Sequence, residues 1–213
     1  MKHLADLNYQ GKTVFLRVDF NVPLDDKGKI RNDARIRASL PTINYLIGRG
    51  AKLVIASHLG RPKGKPDPKM SLMPAARRLA ELVSADILMA PDCVGEATDD
   101  LKRKLRPGQA LFLENLRFHP EETANDPGFA QKLARGIDYY VNDAFGSCHR
   151  AHASVAAITQ FVREKAAGLL LEKEVEYLSK AIHSPARPYV AILGGAKVSD
   201  LSLIHISEPT RPY

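Results

Sequence analysis

Four arginines in this 213-residue chain each follow a run of residues that is typical of a β-strand. They are Arg35, Arg61, Arg117 and Arg150, and the strand-like runs before them are 13–19, 52–57, 110–114 and 139–142. A helix-like stretch follows each run, and in a parallel βαβ sheet every strand-to-helix loop emerges at the carboxyl edge. Helix N-termini also point there, and their partial positive charge disfavours cations. Arginines collected at this edge therefore indicate that an anion binds there.

Polar side chains accompany two of these arginines. Asp19 and Asn21 stand two residues apart at the end of the first strand, on one face, and their oxygens accept hydrogen bonds from a hydroxyl group. Taken alone, this pair is better explained as a strand-end turn. His58 lies in the same loop as Arg61, where Gly60 lets the backbone approach a ligand closely. A histidine beside an arginine at this edge favours anion binding.

Three further arginines provide a contrast. Arg49, Arg106 and Arg135 lie near predicted helix C-termini, where the helix dipole favours a cation without any ligand. These three are therefore assigned a structural role.

The net charge of +7 leaves two classes of partner open, nucleic acid and a small anionic metabolite. Nucleic-acid binding calls for aromatic side chains that stack on bases among the cations. Aromatic residues make up only 7% of the chain and there is no Trp, so we predict no nucleic-acid partner. No apolar run approaches the roughly 20 residues of a membrane helix, which predicts a cytoplasmic protein with no membrane partner.

The two cysteines, Cys93 and Cys148, are far apart and form no C-x-x-C or Cys/His ligand spacing. This spacing favours a reducing compartment and argues against a zinc site, so we assign no metal ligand. Cys148 stands beside His149 and Arg150, which would lower the pKa of its thiol, although an unreactive thiol is the preferred interpretation.

The order of apolar and polar segments predicts about five β/α units. Asp33 is the predicted N-cap of a helix that runs to about Ile47, and Ser71 is the predicted N-cap of the next helix. Further helices are predicted near 95–105, 126–136 and 151–162. Strands that alternate with helices indicate an α/β fold, a parallel β-sheet sandwiched by helices.

The pattern changes after residue 167. Residues 168–182 predict a longer amphipathic helix, and Y-V-A-I-L-G-G predicts the first strand of a second domain. In the segment Gly194–Asp200, two glycines and a lysine suit a phosphate group, although the segment is not a P-loop. Residues 201–213 do not continue the βα pattern.

Residues 1–200 contain six ordered motifs, R-V-D-F-N-V-P, N-D-A-R-I, S-H-L-G-R-P, E-N-L-R-F, D-A-F-G-S-C-H-R-A-H and G-G-A-K-V-S-D. In this order and at these intervals they resemble the motifs of the phosphoglycerate kinases. The resemblance implies a Rossmann-like, substrate-binding N-terminal domain at 1–167 and an interdomain helix and linker at 168–186. It further implies that residues 187–200 are the first strand and glycine-rich loop of a nucleotide-binding domain that is cut off. Since the family calls for lysine where this chain has Leu201, residues 201–213 are expected to be a non-native tail.

The resemblance also implies roles for individual residues. Asp19 and Asn21 would hold the glycerate end of the substrate. The basic patch around its carboxylate and phosphate would comprise Arg35, His58, Arg61, Arg117 and Arg150. Arg35 would also face the phosphoryl group in transit and Lys197 would stabilise it, so these two are the expected catalytic residues. Gly194, Gly195 and Lys197 would bind the nucleotide.

The implied activity is reversible phosphoryl transfer between 1,3-bisphosphoglycerate and ADP, which gives 3-phosphoglycerate and ATP in glycolysis. The chain would be a phosphotransferase with a carboxyl group as acceptor, and a monomer. Mg²⁺ would accompany ADP or ATP and be bound mainly by the missing domain, so the chain is expected to bind substrate but to be catalytically incomplete. A basic α/β module that binds nucleic acid and a truncated protein that only binds substrate are the alternatives.

Overall fold

A sheet of six strands forms the centre of the computed structural model, which describes residues 2–190. The strands are β1 (Thr13–Arg17), β2 (Lys52–Ala56), β3 (Ile87–Met89), β4 (Ala110–Phe112), β5 (Tyr139–Asn142) and β6 (Glu164–Ala167). Their order in the sheet is β3-β4-β2-β1-β5-β6, and every neighbouring pair is parallel. The α-helices are α1 (Ala34–Gly48), α2 (Met73–Leu82), α3 (Glu96–Lys104), α4 (Pro120–Thr123), α5 (Pro127–Ala134) and α6 (Leu169–His183).

Both faces of the sheet are covered, as the sequence predicts for a parallel sheet. All five residues of β1 are buried, and strand side chains alternate between the two faces. Val14 and Leu16 accordingly pack into one apolar cluster, whereas Phe15 packs into the other. Burial on both faces explains why the three central residues of β1, Val14 to Leu16, are all apolar rather than alternating with polar ones.

Helices supply the outer layers of this sandwich. On one face, α1 and α2 contribute Ile43 and Leu79 to the first cluster. On the other face, α5 contributes Phe129 and Leu133 to the second. The predicted fold class, an α/β sandwich around a parallel sheet, is confirmed.

Several element boundaries differ from the prediction. The first, second and fourth strands end at Arg17, Ala56 and Phe112, earlier than predicted, so the polar residues that follow lie in loops at the carboxyl edge. The helix predicted at 151–162 is wrong, because only the 3-10 turn Ala157–Gln160 forms there. Strand β6 was not predicted, since an edge strand with two of its four residues away from the core lacks an apolar pattern.

The groups that cap the first two helices also differ from the prediction. Asp33 occupies the N-cap position of α1, but its side chain makes no capping hydrogen bond and instead accepts from Arg37 and Arg78. Asn32 Oδ1 accepts from the Ala34 amide at 2.8 Å. The predicted cap Ser71 lies one residue before the N-cap of α2, and its hydroxyl accepts from the Met73 amide at 3.2 Å.

Contacts along the chain divide it after Glu176, within α6, and the sheet and both apolar clusters belong to the first unit. The predicted second-domain strand and the glycine-rich loop fall mainly beyond residue 190, outside the described residues. Within residues 2–190, no helix is long and apolar enough to cross a bilayer.

Candidate anion-binding site

Three of the four predicted arginines line a single cavity at the carboxyl edge. Arg61, Arg117 and Arg150 share this cavity of about 500 Å³ with Lys63 and His152. Among the residues that the structure describes, no carboxylate lines it. Cations that converge on a space without a counter-charge raise the local concentration of anions, so the cavity is suited to a small anionic ligand.

The loop that carries Arg61 is held by close packing. Lys63 and Gly64 both adopt positive φ angles, 57° and 72°. A Cβ atom on Gly64 would lie 2.8 Å from Cβ of Pro120, the first residue of α4. The glycine therefore lets the loop lie directly against the start of this helix, which fixes one wall of the cavity.

Arg117 is held by a network around the buried Asn115. The Asn115 side chain accepts from the Arg117 amide at 3.1 Å and donates to the Leu59 carbonyl at 2.7 Å. Arg117 Nη1 donates to the Gly60 carbonyl at 2.8 Å. Burial lowers the pKa of Arg117, and the positive charge of Arg150 acts in the same direction. This repulsion is what an anion placed between the guanidinium groups would relieve.

Behind the cavity lies Arg17, which is fully buried at the end of β1. Its Nε donates to Ser154 Oγ at 2.9 Å, its Nη1 donates to the Val18 carbonyl, and its Nη2 lies 3.1 Å from His58 Nδ1. Because a guanidinium only donates, His58 Nδ1 must accept. A neutral His58 therefore carries its proton on Nε2.

His58 remains neutral over the physiological pH range. Burial, together with the nearby positive charges of Arg17 and Arg117, lowers its pKa to about 2. His58 therefore offers a neutral N–H donor among cations, and adds no charge to the cluster.

A buried carboxylate balances Arg17. Glu122 in α4 has no exposed surface and accepts from the Ser154 hydroxyl at 2.6 Å and from the Ser154 amide at 2.9 Å. The Ser154 hydroxyl thus links Glu122 to Arg17, which compensates the buried guanidinium. His152 Nδ1 lies 3.8 Å from Glu122 Oε1, and burial is the main cause that lowers the pKa of His152. The positive charge of the exposed Arg61 and Arg150 is left for a ligand.

Asp19, Asn21 and Arg35 form a separate part of the edge. Arg35 Nη1 lies 2.5 Å from Asp19 Oδ2, and neither residue lines the arginine cavity. Asn21 Oδ1 accepts from the Gly60 amide at 2.9 Å, which ties this segment to the loop of Arg61. Asp19 and Asn21 lie in the loop after β1, whereas Arg35 lies in the first turn of α1. Of the predicted substrate residues, only Arg61, Arg117 and Arg150 share the cavity. Gly194, Gly195 and Lys197, predicted for the nucleotide, lie outside the described residues.

Sequence reasoning missed the residues that support the site. Arg17 carries a signal, because a cation inside an otherwise apolar strand must find buried partners. No local sequence pattern marks Glu122, Ser154 or His152 as part of the site. Their contacts with Arg17 and with each other depend on the tertiary fold.

Mg²⁺ does not fit the arginine cavity. This ion prefers carboxylate, phosphate and water oxygens, whereas the cavity is lined by Arg61, Lys63, Arg117, Arg150 and His152. No step of a reaction is therefore assigned to a metal bound by this cavity.

The covered parallel sheet and the cationic loops at its carboxyl edge define an α/β domain with a candidate ligand site at the strand ends. A family model described as phosphoglycerate kinase matches residues 4–206. The chain belongs to the phosphoglycerate kinase family.

Individual relatives agree with this assignment. The phosphoglycerate kinase of Anaeromyxobacter dehalogenans is 63% identical over 202 residues, which cover 94% of this chain and 51% of the relative. A cytosolic phosphoglycerate kinase of Triticum aestivum is 55% identical over 196 residues, covering 92% and 49%. The crystal structure of phosphoglycerate kinase from Pyrococcus horikoshii OT3 matches with a TM-score of 0.83 at 40% identity, covering 93% of this chain and 50% of that one. The chain spans about half the length of the curated relatives it matches.

Proposed function

We propose that this chain provides the substrate-binding domain of a phosphoglycerate kinase and binds 3-phosphoglycerate or 1,3-bisphosphoglycerate. The observation that carries the proposal is the convergence of Arg61, Arg117 and Arg150 on one cavity that no carboxylate lines among the described residues. Arginine presents a planar fork of donors that matches phosphate and carboxylate oxygens, so these three side chains suit both ends of such a ligand.

In this proposal the other edge residues complete the recognition of the substrate. Asp19 and Asn21 hold the glycerate end, and His58 supplies a neutral N–H donor. Arg35 pairs with Asp19 in the free domain, and on substrate binding part of this contact is replaced by a contact with the phosphoryl group in transit. Binding the anion satisfies donors that the fold already holds in place, which reduces the entropic cost of association.

The reaction proposed for the whole family protein is phosphoryl transfer from 1,3-bisphosphoglycerate to ADP and its reverse. In the reverse direction, the carboxyl group of 3-phosphoglycerate is the acceptor. Phosphoryl transfer depends on positioning and charge neutralisation rather than on covalent help from the protein. The arginines of this domain supply the positioning and the charge neutralisation on the substrate side. Gly194, Gly195 and Lys197 are proposed to face the nucleotide, whose Mg²⁺ is held elsewhere than in the arginine cavity. We place the protein in the cytoplasm, by its similarity to the cytosolic wheat relative.

The test is calorimetric titration of the chain with 3-phosphoglycerate. Each charge-assisted contact to an anion contributes about 1.5–3 kcal/mol, so Arg150→Ala should weaken binding at least about tenfold. Arg49→Ala is the matched control, because the Arg49 guanidinium lies 5.2 Å from the ring centre of Tyr45 and away from the cavity. Equal weakening by both substitutions, or no binding by the unsubstituted chain, would contradict the proposal.

A further inference from the structure

A second cluster of side chains, apart from the arginine cavity, brings together three potential metal ligands. The Cys93 thiol, the Asp92 carboxylate and the His119 imidazole each place one ligand atom within 4.8 Å of the other two. Asp92 and Cys93 follow β3, whereas His119 follows the turn after β4. The three residues come together only in the tertiary structure. The spacing of cysteines and histidines along the sequence therefore gives no sign of this cluster.

The imidazole and the carboxylate are already held in place. His119 Nε2 lies 2.6 Å from Asp92 Oδ1, and the His119 ring stacks on Phe129 with 5.0 Å between centroids. Asp92 Oδ1 also accepts from the Cys93 amide at 2.6 Å. The buried thiol donates to the Glu114 carbonyl at 2.9 Å, close beneath this pair. Ligands positioned by their own packing lose little freedom when an ion binds.

The surroundings of this cluster attract cations. Asp92 and His119 line a cavity of about 500 Å³ together with the carboxylates Asp67 and Glu114, and no lysine or arginine within residues 2–190 lines it. Three carboxylates thus line this cavity although the net charge of the chain is +7. The cavity gives an ion a path to Asp92 and His119, and its charge is opposite to that of the arginine cavity.

We propose that Asp92, Cys93 and His119 form a site for Zn²⁺, with the fourth coordination position open to the cavity. Thiolate, imidazole and carboxylate are all zinc ligands, whereas Mg²⁺ and Ca²⁺ prefer oxygen ligands alone. Zinc–ligand bonds of about 2.0–2.3 Å place tetrahedral ligand atoms roughly 3.3–3.8 Å apart. The Asp92–His119 pair, 2.6 Å apart, must therefore open by about 1 Å, and the Cys93 sulfur, within 4.8 Å of both, must close by no more than about 1.5 Å. On binding, the Cys93 thiol releases its proton to solvent and its sulfur coordinates the ion.

The experiment is a titration of the chelator-treated, reduced chain with Zn²⁺ by calorimetry, and with Co²⁺ by absorption spectroscopy. We expect one ion per chain and, for Co²⁺, a thiolate-to-metal charge-transfer band. His119→Gln and Cys93→Ser should each weaken binding at least about tenfold, and Cys93→Ser should also remove the band. Cys148→Ser is the matched control, since Cys148 is the other, exposed cysteine; it should leave both readouts unchanged.

Other outcomes overturn the proposal. They are no saturable binding, binding that survives His119→Gln, or a charge-transfer band that depends on Cys148 rather than Cys93. If circular dichroism shows that Cys93→Ser does not fold, His119→Gln and Asp92→Asn decide the question. Both of these residues are partly exposed, and neither is a member of an apolar cluster.

Discussion

Arg17 shows how a single buried charge determines the geometry of the candidate site. It has no exposed surface, yet the carboxylate that balances it, Glu122, reaches it only through the hydroxyl of Ser154. The same guanidinium fixes the tautomer of His58. The orientation of a residue predicted to face the ligand therefore depends on residues that never contact the ligand.

Removing Glu122 should destabilise the fold strongly. In Glu122→Ala, Arg17 and Ser154 lose their buried partner, and breaking a buried charge network costs about 3–5 kcal/mol. Glu121→Ala is the control, because Glu121 is the exposed neighbour in the same short helix. Urea unfolding of the two variants measures the difference. If Glu122→Ala loses no more stability than Glu121→Ala, then Arg17 is not stabilised through Ser154.

At the scale of elements, the start of α6 is fixed by Asp143. Its Oδ1 accepts from the amides of Leu170 and Leu171 at 3.0 and 3.4 Å. Burial raises the pKa of Asp143 to about 6, although these bonds and the hydroxyls of Thr42 and Ser39 act in the opposite direction. The helix begins here because a carboxylate at its N-terminus binds free amide groups.

The raised pKa of Asp143 makes stability depend on pH. The folded state holds this proton more tightly than the unfolded chain, so the contribution of Asp143 to stability falls as pH rises from about 4 to about 6. In Asp143→Asn this decline is absent. The stability of the variant relative to the unsubstituted chain should therefore rise by roughly 2–3 kcal/mol between pH 4 and pH 7. Denaturant unfolding across this range measures it, and a constant difference would contradict the assigned pKa.

The residue before α6, Gly168, must be glycine because there is no room for a side chain at this position. A Cβ atom there would lie 2.1 Å from Asp143 Oδ1, so Gly168→Ala should displace the carboxylate and cost about 1–3 kcal/mol. Gly48 at the end of α1 is the matched control, since nothing lies within 4 Å of its Cβ position. Gly48→Ala should be neutral or stabilise by up to about 1 kcal/mol. Thermal unfolding of both variants tests the pair, and equal effects would refute the packing argument.

At the scale of the whole molecule, the sequence predicted the architecture better than the site. Apolar runs such as β4 identify buried parallel strands, and the arginines after them identify the carboxyl edge. The sequence could not show that Arg35 pairs with Asp19 while Arg61 and Arg150 share a cavity. Local patterns give the edge on which a residue lies, but the distances across that edge depend on how the loops pack.

Strand β6 went unpredicted for a related physical reason. Its residues Glu164 and Lys165 lie away from the core, and only Ala166 and Ala167 are buried. A strand at the edge of a sheet needs little apolar surface because pairing with β5 supplies its backbone hydrogen bonds. Its assignment therefore requires knowledge of the neighbouring strand.

Residues 1–183 should fold by themselves in one cooperative transition. Both apolar clusters lie between Leu4 and Leu169, and the six strands pair within the same segment. Calorimetry should show one transition with an enthalpy of about 130 kcal/mol near 60 °C. A chain that ends at residue 160 is the comparison, because it lacks β6 and the whole of α6. Its truncation exposes the edge of β5 and leaves Asp143 without its amide partners. That shorter chain should unfold at a lower temperature and with a smaller enthalpy. A broad, dye-binding transition for residues 1–183, or identical melting of the two chains, would show that β6 and α6 do not close the fold.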